Sequence, residues 1–214
     1  MGFHEGDYDL LHKIQYIPSC PAISSKQLIP NDSETKQALQ ASAAELDIVL
    51  NYHDLQAGKY ANIYTELATL RLQAPHPIIL KLILETSQLT SAQVVAACCL
   101  AAAAQFDFVK TSTGFKGHGA KEEHVRLMAA CCERLAANGR RMQVKASGGV
   151  RTIEDAVKMI EAGASRLGTS NGVWIAKEGK EFAERGRSLL GNGAGDGERR
   201  GSRPELGTRL FTDY

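Results

Sequence analysis

From about residue 45 onward the sequence alternates short apolar runs with helical patterns joined by brief connections, a rhythm that restricts the fold to parallel βα units. ELDIVLNY (45–52) reads as a strand, followed by a helix whose apolar side is Leu55, Ile63, Leu67 and Leu70. PIILKLILET (77–86) is a strand so apolar that both faces must be covered, and an alanine-rich helix follows from Ser91 to Gln105. FDFVKTS, a helix from about Ala120 to Asn138 and the strand MQVKAS (142–147) come next. Thr152 and Asp155 make a capping-box-like start for a helix with Ile153, Val157 and Ile160 on its buried side and Gly163 at its end. SRLGTS (165–170) is the last strand, and a helix from about Val173 to Leu190 completes five βα units. The domain reading is an atypical N-terminal segment (1–30), a barrel domain (31–190) and a Gly- and charge-rich tail (191–214) with little to bury.

A chain of 214 residues with 43% hydrophobic and 23% charged side chains has enough apolar material for a single core. Its 25 basic and 24 acidic side chains leave a formal charge of +1, too little field to attract nucleic acid or an anionic membrane. An anionic ligand must therefore be held locally. No uncharged apolar run approaches a membrane span, and a soluble, cytoplasmic protein is expected. The five cysteines are two adjacent pairs, Cys98–Cys99 and Cys131–Cys132, plus Cys20, an odd count without zinc-ligand spacing. Cys132 continues the apolar stripe of Val125, Met128 and Leu135 and reads as core. His53, His76, His118 and His124 also lack ligand spacing, so neither a metal nor another cofactor is expected.

Each strand carries a polar group or a glycine-containing turn at or near its C-terminal end: Asp47, Glu85, Lys110, Lys145 and then Gly168–Thr169–Ser170. In a (β/α)8 barrel these ends meet at one face, where active sites lie. Alone, Lys110 reads as a lysine snorkelling to water, and SGG (147–149) or GTS (168–170) as turns ahead of helices. Together they read differently. Lys110 and Lys145 project from neighbouring strands into one pocket, where burial and like charge disfavour two ammonium groups, so one is expected to be a neutral amine able to form a Schiff base. Asp47 adds a carboxylate that moves protons or pairs with a lysine. Gly148, Gly149, Gly168 and Ser170 supply closely spaced backbone amides leading toward helix N-termini, a geometry suited to phosphate, and Gly114 lies in the hydroxyl- and amide-rich KTSTG loop.

The segments ELDIVLNY, ILKLILETSQLT, FDFVKTSTGF, VKASGGVRT and RLGTSNG resemble the deoxyribose-phosphate aldolases, class I aldolases of (β/α)8 fold, from about Asp32 to about Val173. KTSTG followed at this distance by K-x-x-GGVRT is specific to that family. The resemblance implies reversible cleavage of 2-deoxy-D-ribose 5-phosphate to D-glyceraldehyde 3-phosphate and acetaldehyde, with a phosphorylated sugar as partner and a homodimer among the expectations. By motif, Lys110 is similar to the Schiff-base lysine, Lys145 to the lysine that tunes it, and Asp47 to the proton-relaying acid; Gly114, Gly148, Gly149, Gly168 and Ser170 fall on phosphate-binding motifs. The terminal Tyr214 matches many members. Two other readings stand beside this one: a truncated, non-catalytic aldolase-like remnant or binding protein, and a phosphate-binding isomerase or epimerase, which would not need two lysines.

The first 30 residues, with DYDLLH, PSCPAIS and QLIP, do not match the family's first three strands. If SRLGTS is strand eight, ELDIVL is strand four, and three preceding units of about 30 residues would need roughly 90. Only 44 residues precede Glu45. The expected fold is therefore α/β, a (β/α)8 barrel left incomplete, with strands four to eight readable, an open sheet edge, interior apolar side chains facing water and weak or no activity.

Overall fold

Period-two alternation divides each strand between two environments, and this division builds the molecule. In the computed structural model, which describes residues 30–137 and 140–184, the elements run α1 (Pro30–Gln40), β1 (Glu45–Val49), α2 (Tyr52–Gln56), α3 (Tyr60–Gln73), β2 (Ile79–Ile83), α4 (Ser91–Ala103) and β3 (Phe108–Lys110). They continue with α5 (Glu122–Arg134), β4 (Gln143–Ser147), α6 (Ile153–Glu161), β5 (Arg166–Gly168) and α7 (Gly172–Glu184). The five strands form one parallel sheet in sequence order.

One face carries Leu46, Ile48, Leu80, Leu82, Val109, Val144, Ala146 and Leu167, all buried against a helical layer that includes Ile63, Leu67, Val94, Ala97, Val125, Met128, Ile153 and Ile175. Each fully buried Leu or Ile contributes about 1.5–3 kcal/mol to this layer. The register pairs Asp47 with Lys81, Lys81 with Phe108, Lys110 with Lys145, and Lys145 with Arg166. Those residues therefore share the other face, and a slip of one position would exchange them with the leucines.

The five expected strands and the helices around them are present, with shorter strands and two departures among the helices. The helix expected after β1 is two, because Gly58, at φ +72°, turns the chain between α2 and α3. Helix α1 went unread, since PNDSETKQALQ lacks a strong apolar stripe. The capping box of Thr152 and Asp155 forms as expected, with Gly163 at φ +106° after the helix. The 1–30 segment (apart from the start of α1), the 191–214 tail and Tyr214 lie outside the described residues.

Among the described residues the sheet is an incomplete (β/α)8-type barrel, in which β1 and β5 each pair with a single strand. The expectation that its apolar interior faces water is not met: Val49, Ile83 and Phe108 are only 6%, 1% and 6% exposed. One reason is visible at Phe108, where the Arg166 guanidinium lies 4.6 Å from the ring centroid.

Candidate active site

Each of the five strands contributes to a single chain of charges inside the curved sheet. Lys110 Nζ on β3 donates to Asp47 Oδ2 on β1 at 2.7 Å, and Lys145 Nζ on β4 donates to the same oxygen at 3.4 Å. Lys81 on β2 lies 3.1 Å from Asp47 Oδ1 and also pairs with Glu45, and Arg166 on β5 donates to Glu45 Oε2 at 2.7 Å. Asp47, Lys81, Lys110 and Lys145 are all at least nine-tenths buried. The three residues expected at the chemical centre thus meet.

Burial alone pushes the Asp47 carboxyl up, but the charges of Lys110, Lys145 and Lys81 together outweigh it and hold Asp47 well below the usual carboxylate range. Glu45 is held low in the same way: burial opposes it, and Lys81 and Arg166 prevail. Among the described residues, Lys81, Lys110, Lys145 and Arg166 pair with the carboxylates of Asp47 and Glu45.

The loops above the strands are fixed by side chains. Thr111 Oγ1 donates to Ser147 O and accepts from Ser147 N, both at 2.9 Å, tying the ends of β3 and β4 together. Glu85, itself at φ +54°, accepts from Thr113 Oγ1 at 2.6 Å and from Thr113 N at 3.2 Å, which orders the loop holding Gly114. Ser112 Oγ and Glu85 Oε1 are buried without a hydrogen-bond partner among the described residues.

Gly148 and Gly149 have φ of +84° and +79°, and a Cβ on Gly119 would come within 2.5 Å of the Gly148 backbone. The two loops therefore meet backbone to backbone. The N-terminus of α6 is less open than its sequence suggests: Asp155 accepts from Arg151 N and Thr152 N, and Glu178 accepts from Ile153 N. Gly168 packs against the side chains of Ser147 and Lys145, since a Cβ there would lie 2.8 Å from Ser147 Oγ and 3.3 Å from Lys145 Cε. Ser170 is exposed, with Oγ donating to Asn171 Oδ1 at 3.3 Å. A cleft lined by Cys132, Arg141, Gln143 and Ser165 lies at the N-terminal end of β4 and contains none of the charged cluster.

The sequence model of the DeoC/LacD family aldolases matches residues 15–178. The chain belongs to this family. It is 47% identical over 178 residues to a deoxyribose-phosphate aldolase of Coccidioides immitis, an alignment covering 83% of this chain and 58% of that protein. To the deoxyribose-phosphate aldolase of Caldicellulosiruptor saccharolyticus it is 44% identical, over 68% of this chain and 64% of the relative. Among solved structures, a candidate deoxyribose-phosphate aldolase from Coccidioides immitis superposes with a TM-score of 0.70 at 43% identity, covering 81% of this chain and 70% of the other. The chain spans about three-fifths of the length of these curated relatives.

Within the family fold, sequence reasoning missed Lys81, Glu45 and Arg166. A lysine in the middle of ILKLI is the signal that was available: a central strand covered on both faces has no route to water for an ammonium, so Lys81 needs buried carboxylates. No helix among the described residues is long and apolar enough to cross a membrane.

Proposed function

We propose that the chain is a class I aldolase that reversibly cleaves 2-deoxy-D-ribose 5-phosphate to D-glyceraldehyde 3-phosphate and acetaldehyde through a Schiff base on Lys110. The observation that carries this reading is the convergence of Lys110 and Lys145 on one oxygen of Asp47, at 2.7 and 3.4 Å. Lys110 in its amine form attacks the C1 carbonyl of the open-chain sugar, and loss of water gives a protonated imine. The imine accepts the electron pair of the C2–C3 bond as the 3-hydroxyl loses its proton. Glyceraldehyde 3-phosphate leaves, the remaining enamine is protonated at C2, and water releases acetaldehyde. Asp47 is the proton carrier for these transfers, a role worth roughly 10²–10⁴-fold in rate. Lys145 shares its oxygen with Lys110 and weakens the hold of the carboxylate on the Lys110 proton.

The substrate phosphate is assigned to Gly114, Gly148, Gly149, Gly168 and Ser170. The backbone approach at Gly148 and Gly149 supports this assignment better than the helix α6 terminus, whose amides already have partners. A cytoplasmic protein that binds a phosphorylated sugar and assembles as a homodimer completes the reading. A second reading, a non-catalytic aldolase-like protein, is favoured by the five-stranded sheet whose outer strands do not pair with each other among the described residues. Retro-aldol turnover by the purified full chain separates the two. Acetaldehyde released from deoxyribose 5-phosphate and absent in Lys110→Leu supports the enzyme; folded protein without turnover supports the second reading.

A further inference from the structure

Lys81 is a fully enclosed cation that the proposed chemistry does not use. It is 4% exposed, extends from the middle of β2, and holds two carboxylates of the neighbouring strand at once, Glu45 and Asp47. Its distance to Asp47 Oδ1 is 3.1 Å, while Lys110 and Lys145 take Oδ2. The two oxygens of Asp47 are therefore assigned to different partners, one to Lys81 and one to the lysine pair. A carboxylate gripped on one oxygen by a buried ammonium is restrained in rotation, and the other oxygen is left facing its proton partners.

We propose that Lys81 is a positioning residue: it fixes the Asp47 carboxylate so that Oδ2 faces Lys110 and Lys145, and thereby sets the proton-transfer steps without touching substrate. The chain continues to Glu45, which Arg166 restrains from β5 at 2.7 Å, so the orientation of Asp47 is anchored to both ends of the sheet. The catalytic part rests on the aldolase reading; the geometric part, the grip of Lys81 on Asp47, does not.

Two measurements on Lys81→Met and Lys81→Gln keep these apart. The first follows the Asp47 carboxyl by ¹³C NMR in the absence of substrate. The midpoint is expected to move up by a pH unit or more in both variants, because one of its three cations is gone. The second compares kcat, KM and borohydride trapping of acetaldehyde on Lys110. The expected result is a kcat loss of ten-fold or more, KM within about two-fold and trapping retained, since imine formation needs Lys110 and proton relay needs the oriented carboxylate. An unchanged Asp47 midpoint overturns the proposal whatever the activity. A shifted midpoint with unchanged kcat in an active background overturns the positioning role, as does loss of folding in both variants. An unsubstituted chain without trapping or turnover removes the aldolase reading and the catalytic part with it, while the NMR shift still decides the grip.

Discussion

Arg166 on β5 donates to Glu45 on β1 at 2.7 Å, joining the outermost described strands through side chains although their backbones are not paired. These residues are 121 positions apart, so the contact closes a long loop and fixes the curvature of the sheet. Glu45 keeps Lys81 when Arg166 is lost, and both side chains are partly exposed. Arg166→Leu is therefore expected to cost about 1–2 kcal/mol, less than a fully buried pair. A urea midpoint equal to that of the unsubstituted protein would show that the clasp contributes nothing.

Acid should weaken the fold through Asp47. Its carboxyl lies well below the usual range in the folded protein and near about 3.9 in the unfolded chain. The stabilisation is complete above about pH 5 and is lost as pH falls through the unfolded value toward the folded one. Asp47→Asn leaves three buried ammonium groups without this carboxylate, so it lowers stability at pH 7 by about 3–5 kcal/mol and flattens the acid limb. Parallel acid limbs for the two proteins would contradict this.

The two lysines are distinguished by their distances to Asp47 Oδ2. Lys145→Leu leaves Lys110 as the remaining donor to that oxygen, which favours the ion pair over the free amine. Acetaldehyde adduct formation at pH 7 is expected to slow ten-fold or more, while Lys110→Leu abolishes it. Stopped adduct formation in both, or a normal rate in Lys145→Leu, would remove the tuning role.

Phosphate selectivity should respond differently at the two glycines. A side chain at Gly149 is strained by its φ of +79° and comes within 3.4 Å of His118 O, so Gly149→Val weakens apparent affinity for the phosphorylated sugar more than for deoxyribose. At Gly168 the side chain meets Ser147 and Lys145, so Gly168→Val depresses turnover of both sugars. Equal losses on both sugars at Gly149 would mean that this loop serves the fold.

The strands were legible because ELDIVL, ILKLI, FVK and QVKAS are short, mostly apolar runs set between helical patterns, and Asp47, Lys110 and Lys145 stood out as charges at or near their C-terminal ends. Lys81 sits in the middle of such a run, but its meaning depends on register: only when β2 is placed between β1 and β3 does it fall beside Asp47 and Glu45. The partnered amides of α6 were hidden for a similar reason. Asp155 is local and formed the expected cap, whereas Glu178 arrives from α7, 25 positions away. Strand ends can be read from short windows, but the partners of a buried charge are set by long-range pairing.

The most direct test of the Lys110 assignment is reduction of the protein with borohydride in the presence of acetaldehyde, followed by peptide mapping. A reduced two-carbon adduct is expected on Lys110, lost in Lys110→Leu and formed without added metal. An adduct confined to Lys145 would reverse the roles of the two lysines, and folded protein with no adduct would contradict the Schiff-base mechanism.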